Sequence, residues 1–205
     1  FSSFTIPGMQ FTMASRDLQL KLMGGASAPC NLNWRVEDGY LRFISWSEHG
    51  DPFTLGLCGP GDLIIPSLIT IAPLQLVALS PARISESTPS PQERELFLIE
   101  QCLQTSILVR LSRIRPAEAR MFQLLFWIGT RFGRVSSRGI SLSMDEMNLT
   151  HRHLGEISGL TRVTVTKAIS YLRQKGYLQK EGLDDLLQPD AWPLLLQQED
   201  GASSG

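Results

Sequence analysis

Residues 149–178 read LTHRHLGEISGLTRVTVTKAISYLRQKGYL, and this stretch decides the fold of the C-terminal part of the chain. Thr150 and Thr161 are residue types that cap helix N-termini, so each predicts the start of a helix. Gly159 between the two helices suits a left-handed turn, and Gly176 ends the second helix before a strand. Helix, tight turn, helix and strand is the order of a winged helix-turn-helix.

The second helix of this motif has a face that suits DNA. Arg162 in its first turn can fork onto a guanine in the major groove, and Val163 can pack against a thymine methyl group. Together with Thr166, they are the candidates for reading bases. The candidates for contacting the DNA backbone lie at the two helix starts and beside the recognition face: Thr150, His151, Arg152, Thr161, Thr164 and Lys167. Thr164 and Thr166 would act as short hydroxyl donors.

The net charge of −1 is an average over unlike segments. Residues 115–182 carry 11 basic and 5 acidic residues, whereas residues 1–114 and 183–205 have net charges of −2 and −5. A block of +6 between acidic flanks favours a polyanionic partner. Charge alone fits a solvated basic surface equally well. The prediction of double-stranded DNA as partner therefore depends on the helix-turn-helix pattern.

Residues 1–89 are rich in turns and short apolar alternations, which predicts a small β-barrel or roll. Asp38-Gly39 is a strong hairpin signal, and Gly50-Asp51 marks another turn. Residues 63–82 carry no charge, but three prolines interrupt them, so they favour short strands over a membrane-spanning helix. The three scattered cysteines encode neither a disulfide framework nor a zinc ribbon, which fits a reducing compartment.

A long helix is predicted after the strand-rich part. Ser90-Pro-Gln-Glu93 combines an N-cap serine, a proline at the first helical position and a capping-box glutamate. Neither Gly nor Pro follows before Pro116, so we predict a helix over 91–114. It carries an apolar stripe that predicts a dimer seam, a connector between domains, or both: Leu96, Ile99, Leu103 and Ile107.

Pro116 begins a further helix, and a basic loop at 134–138 and a short strand follow it. The predicted fold class is therefore α+β. We expect four segments: an effector-like β-roll at 1–89, a dimerisation helix at 90–114, a winged helix-turn-helix domain at 115–198 and a flexible tail at 199–205.

Three stretches resemble the cyclic-AMP receptor protein/FNR superfamily of bacterial transcription regulators. They are Glu37–Arg42, Pro60-Gly61-Asp62 and, most specifically, Leu149–Leu178. The TRVTVT sequence at Thr161–Thr166 resembles the NtcA-like branch. The resemblance implies a cupin-like, cyclic-nucleotide-binding-like roll and a homodimer on a pseudo-palindromic operator with half-sites like GTA and TAC. It also implies RNA polymerase as a further partner.

The roll departs from the cyclic-nucleotide binders of this superfamily. Leu63–Leu68 is apolar where those proteins carry a phosphate-binding cassette, and no arginine follows before Arg83. A cyclic phosphodiester would lack a charge partner here, so we expect no cyclic-nucleotide control. We predict no cofactor and no metal site, since His151 and His153 point to opposite sides of a helix. A small effector such as 2-oxoglutarate is suggested only by resemblance, and effector-binding residues stay unassigned.

The alternative is a non-DNA-binding interaction protein, or an enzyme that uses the winged helix only as structure. The sequence shows no nucleophile–base constellation, no Walker loop and no GxGxxG motif. Nor does a basic segment lead into an apolar stretch at its start. We therefore predict no catalytic residues, no membrane partner and a cytoplasmic location.

Overall fold

The computed structural model describes residues 3–6, 9–14 and 17–188. The chain divides into two compact units, Phe1–Ile107 and Leu108–Gly205. The expected flexible tail at 199–205 lies outside the described residues, as does the end of the expected winged-helix domain after residue 188.

Within the described residues, ten strands build the N-terminal unit: β1 (Ser3–Ile6), β2 (Met9–Ala14), β3 (Asp17–Leu22), β4 (Ser27–Ala28), β5 (Trp34–Asp38), β6 (Leu41–Trp46), β7 (Pro52–Cys58), β8 (Leu63–Ile64), β9 (Gln75–Ala78) and β10 (Ala82–Glu86). They form two antiparallel sheets, with the orders β1-β2-β3-β10-β5-β8 and β4-β9-β6-β7. Trp34 and Ile84 from the first sheet and Phe43 from the second are fully buried in one core. The predicted β-roll is confirmed.

The Asp38-Gly39 turn joins β5 to β6, but the two strands do not form a hairpin. β5 pairs with β8 and β10, whereas β6 pairs with β7 and β9, so the turn carries the chain from one sheet to the other. Gly39 has a φ of 79°, and a Cβ there would collide with the Pro81 carbonyl oxygen. The hairpin prediction was wrong, because a turn signal fixes the local backbone and not the partner of the next strand. The second turn, at Gly50, does close a hairpin between β6 and β7.

Residues 63–82 contain β8, one turn of 3-10 helix at Pro66–Leu68, and β9, as the prolines predicted. Among the described residues, no helix combines the length and the apolar character that crossing a membrane requires.

The long helix α1 spans Pro91–Ser112, two residues less than predicted. The capping box is present: Glu93 Oε2 accepts hydrogen bonds from Ser90 N at 2.9 Å and Ser90 Oγ at 2.8 Å. These bonds, and then the Arg35 guanidinium, lower the pKa of Glu93. Because Arg35 is on β5 and pairs with Glu93 at 2.6 Å, the start of the helix is tied to the roll.

One side of α1 covers the free edge of β7, which is the end strand of its sheet. Gln104 Oε1 accepts a hydrogen bond from Leu57 N at 2.8 Å, and Gln101 Nε2 donates to Leu55 O at 2.9 Å. The glutamine amides therefore take the place of a neighbouring strand and satisfy edge groups that would otherwise be unpaired.

The described part of the C-terminal unit contains three helices after α1 and four strands: α2 (Ala117–Phe132), β11 (Arg134–Ser136), β12 (Gly139–Leu142), α3 (His151–Ser158), α4 (Arg162–Gln174), β13 (Leu178–Glu181) and β14 (Asp184–Leu187). The strands pair in the order β11-β12-β14-β13, and α2 packs against α3, α4 and β12. The prediction of a basic loop at 134–138 was wrong, because β11 pairs with β12 there. All three β11 residues are exposed, so no alternation of apolar and polar residues marked it as a strand.

Candidate nucleic-acid interface

The two helices of the motif begin at the predicted caps. Thr150 Oγ1 accepts a hydrogen bond from His153 N, and Thr161 Oγ1 accepts one from Thr164 N, each at 3.2 Å. Gly159 follows α3 with a φ of 71°, the left-handed conformation that the turn requires. The helix-turn-helix is therefore specified locally by its two caps and its glycine.

The second helix of the motif, α4, is amphipathic. Its buried side consists of Val165, Ala168, Ile169 and Leu172. Its opposite side presents Arg162, Val163 and Lys167 to solvent, and Val163 is 64% exposed. Among the described residues, none forms a hydrogen bond or ion pair with the side chain of Arg162 or Lys167. This face therefore offers two cationic groups ready to take up a new partner, with an apolar side chain between them.

Hydroxyl groups on the same face already have partners. Thr166 Oγ1 donates to Arg162 O at 3.0 Å and lies 2.9 Å from His151 Nδ1. Thr164 Oγ1 lies 2.8 Å from Thr161 Oγ1. The structure thus brings these threonines to the predicted surface but engages their hydroxyl groups within the protein.

Arg152 and His151 lie at the start of α3, beside this face. The Arg152 side chain is 79% exposed, and its Nε donates to Glu156 Oε1 at 2.9 Å. The Glu156 side chain is only 15% exposed, so this pair joins an exposed guanidinium to a largely buried carboxylate. His151 is half-buried, and burial followed by the charges of Arg173 and Arg162 lowers its pKa. The imidazole is therefore neutral in the free protein at pH 7.

A buried carboxylate that no sequence motif marks supports α4. The side chain of Asp185 on β14 is 2% exposed and pairs with Arg173 of α4 at 3.1 Å and with Lys180 of β13 at 3.3 Å. Burial alone would lower the pKa of Lys180, but hydrogen bonds and charge from Asp185 and Asp145 outweigh it and raise the pKa. The only signal in the sequence was an acidic residue in an apolar strand, which does not identify its partners.

The predicted stripe on α1 is open to solvent along most of its length. Leu96 is 61% exposed, Ile99 50% and Leu103 58%, while Ile107 is half-buried. The opposite side of the helix buries Phe97 against Phe43 of β6, with ring centroids 6.5 Å apart. The helix is thus apolar on two sides, and the roll covers one of them.

Comparisons with known proteins agree with this architecture. Residues 119–191 match the family of Crp-like helix-turn-helix domains. Regulatory protein CysR of Synechococcus elongatus is 33% identical over 179 residues, which are 87% of each chain. A CRP-family transcriptional regulator from Thermus thermophilus superposes with a TM-score of 0.63 at 17% identity, covering 88% of this chain and 96% of its own. FixK2 from Bradyrhizobium japonicum superposes with a TM-score of 0.65 at 16% identity, covering 82% of this chain and 91% of its own. The two structural likenesses show the fold alone.

Proposed function

The chain belongs to the CRP/FNR family of transcriptional regulators, and from this membership we propose that it binds a pseudo-palindromic operator as a homodimer. The relatives are regulators and not enzymes, so the protein is a DNA-binding transcription regulator rather than an enzyme with an incidental winged helix.

The open face of α4 carries this proposal. An arginine at the first helical position can donate two hydrogen bonds to guanine O6 and N7, and Arg162 is there, exposed and without a partner among the described residues. Lys167 supplies a positive charge but cannot donate two parallel hydrogen bonds as arginine does, so we assign it to a phosphate. We assign Arg152, His151 and the capped helix start at Thr150 to the DNA backbone, because a phosphate contact at the start of α3 would orient the protein on the duplex.

We infer that the second protomer packs against the exposed stripe on α1. Leu96, Ile99 and Leu103 leave a contiguous apolar surface that a second copy of the same helix would cover. A two-fold dimer presents two recognition helices one turn of DNA apart, about 34 Å, which requires a symmetric site.

Finer assignments rest on the same residues. We place the chain in the NtcA-like branch because of Thr161–Thr166, and we expect half-sites like GTA and TAC. We divide the chain into an effector-like roll, a dimerisation helix at 90–114 and a winged helix-turn-helix domain. We place its action in the cytoplasm, in contact with RNA polymerase. 2-Oxoglutarate is the first effector to try.

A gel-shift titration at several salt concentrations tests the proposal. For an operator selected from random DNA, the logarithm of the binding constant is expected to fall linearly with the logarithm of the salt concentration. The reason is that each neutralised phosphate releases counterions. The selected site is expected to bind more tightly than a scrambled duplex at every salt concentration. A slope near zero, with equal affinity for both duplexes, would contradict DNA recognition by this chain.

A further inference from the structure

His151 and Thr166 join the two helices of the motif at its exposed face. His151 is the first residue of α3, and Thr166 lies one turn after Arg162 on α4. The His151 Nδ1 to Thr166 Oγ1 distance is 2.9 Å, and the Thr166 Oγ1 to Arg162 O distance is 3.0 Å. The Thr166 hydroxyl is therefore held between an imidazole and a backbone carbonyl.

The protons of this arrangement can be assigned from its acceptors. A carbonyl oxygen only accepts, so the single proton of the Thr166 hydroxyl goes to Arg162 O. The bond to the imidazole must then be donated by His151 Nδ1–H. The hydroxyl has no second proton to offer to a base or phosphate.

The methyl group is the part of the Thr166 side chain that takes no part in these two hydrogen bonds. The residue is exposed as a whole, and its hydroxyl is turned to Arg162 and His151. Val163 lies three residues earlier, on the same side of the helix, and is 64% exposed. Val163 and the Thr166 methyl group thus give this side of α4 a small apolar element, within the same turns of the helix as Arg162.

We propose that Thr166 reads a thymine through its methyl group, and that His151 is the positioning residue that keeps its hydroxyl turned away from the DNA. The thymine C5-methyl is the one apolar group that the major groove displays. An apolar element within the same turns of the helix as a guanine-reading arginine therefore selects thymine next to guanine. This inference rests on the proposed function, since it requires α4 in the major groove.

The test replaces thymine with deoxyuridine, which lacks only the methyl group, at each position of a selected operator. Wild-type protein is expected to bind about fourfold more weakly for each methyl contact that is lost. Thr166→Ser keeps the hydroxyl and removes the methyl. Its affinity should therefore be the same with thymine or deoxyuridine at one position, while it still falls at the thymine that Val163 contacts. Thr166→Val keeps a methyl and removes the hydroxyl, and should respond as wild type does.

Variants of His151 separate positioning from folding. His151→Ala should reduce the thymine-to-deoxyuridine affinity ratio at the Thr166 position, and His151→Asn, whose amide can donate from a place close to Nδ1, should restore it. A general loss of structure would not change that ratio at one base alone. This inference would be overturned if Thr166→Ser lost as much affinity as wild type at every deoxyuridine position. It would also be overturned if Thr166→Val no longer responded to deoxyuridine at the Thr166 position. Either result would leave the proposed function standing. Equal binding of selected and scrambled DNA by wild type would overturn both.

Discussion

Asp185 on β14 and Arg173 on α4 form an ion pair of 3.1 Å in which the carboxylate side chain is only 2% exposed. Since Lys180 of β13 shares this carboxylate at 3.3 Å, one buried acid ties the recognition helix to the hairpin that follows it. Removing its charge would leave two cations facing each other across an uncharged group.

We therefore predict that Asp185→Asn lowers the free energy of unfolding by about 1.5–3 kcal/mol, the range for hydrogen bonds to charged groups. Chemical denaturation followed by circular dichroism measures this. Glu181→Gln is the matched control, because it removes the exposed pair with Arg138, whose side chains are 40% and 71% exposed. The free energy of unfolding of this control should fall by less than about 1 kcal/mol. Equal losses in the two variants would show that the burial of Asp185 carries no special stability.

The exposed stripe on α1 gives a prediction about assembly. Leu103→Glu should convert a dimer into a monomer in sedimentation velocity at micromolar concentration, because it places a charge in the centre of the proposed seam. Met23→Glu is the matched control, since Met23 is 63% exposed but lies outside α1. A monomeric wild type, or a dimeric Leu103→Glu variant, would contradict the assignment of the seam. The monomer should also bind the operator more weakly.

A third prediction concerns pH. His151 has a lowered pKa in the free protein, caused by burial and then by Arg173 and Arg162. A DNA phosphate against its second nitrogen would favour the imidazolium and raise that pKa, so binding takes up a proton. Operator affinity should therefore rise as the pH falls through the raised pKa of His151 in the complex, and should level off below its lowered pKa in the free protein.

His151→Asn is the variant for this test, because it keeps a donor for Thr166 and cannot titrate in this range. Fluorescence anisotropy from pH 5.5 to 8 should show a flatter pH profile for the variant. His153 remains in both proteins, where its Nδ1 lies 2.8 Å from Asn148 O. Identical profiles for variant and wild type would assign the pH dependence to other groups.

The fourth prediction concerns the roll. Ile64 and Ile65 are fully buried and Pro66 is buried beside them, in the segment where cyclic-nucleotide binders of the superfamily carry their phosphate-binding cassette. Arg83, the next arginine along the chain, is exposed on β10. Isothermal titration calorimetry should show no binding of cyclic AMP at millimolar ligand. Micromolar binding would mean that other residues form an anion site.

Features that depend on a few neighbouring residues were predictable from the sequence. The capping box at Ser90 and Glu93 and the caps at Thr150 and Thr161 all formed as expected, because each is a contact over three residues. Features that depend on partners distant in the sequence were not predictable. The acid at Asp185 meets Arg173 twelve residues away only once α4 and the sheet are packed together.

The same reason explains the two errors in the fold. Asp38-Gly39 specified a turn correctly, but the pairing of β6 with β7 and β9 is decided by burial in the roll. The segment 134–138 was too short and too exposed to show a strand period, and β11 forms because β12 offers it an edge. The bond between His151 and Thr166 likewise depends on how α3 and α4 cross.

The measurement that tests the central claim most directly is a selection from random DNA with wild type and Arg162→Ala side by side. Wild type should enrich symmetric sites with a guanine shared by both half-sites. Arg162→Ala should lose the preference at that guanine, with a cost of about 1–3 kcal/mol. Arg152→Ala, the control, should weaken all sequences alike and reduce the salt slope by about one contact. Enriched sites that lack a shared guanine, or an Arg162→Ala variant that selects the same sites as wild type, would contradict the account.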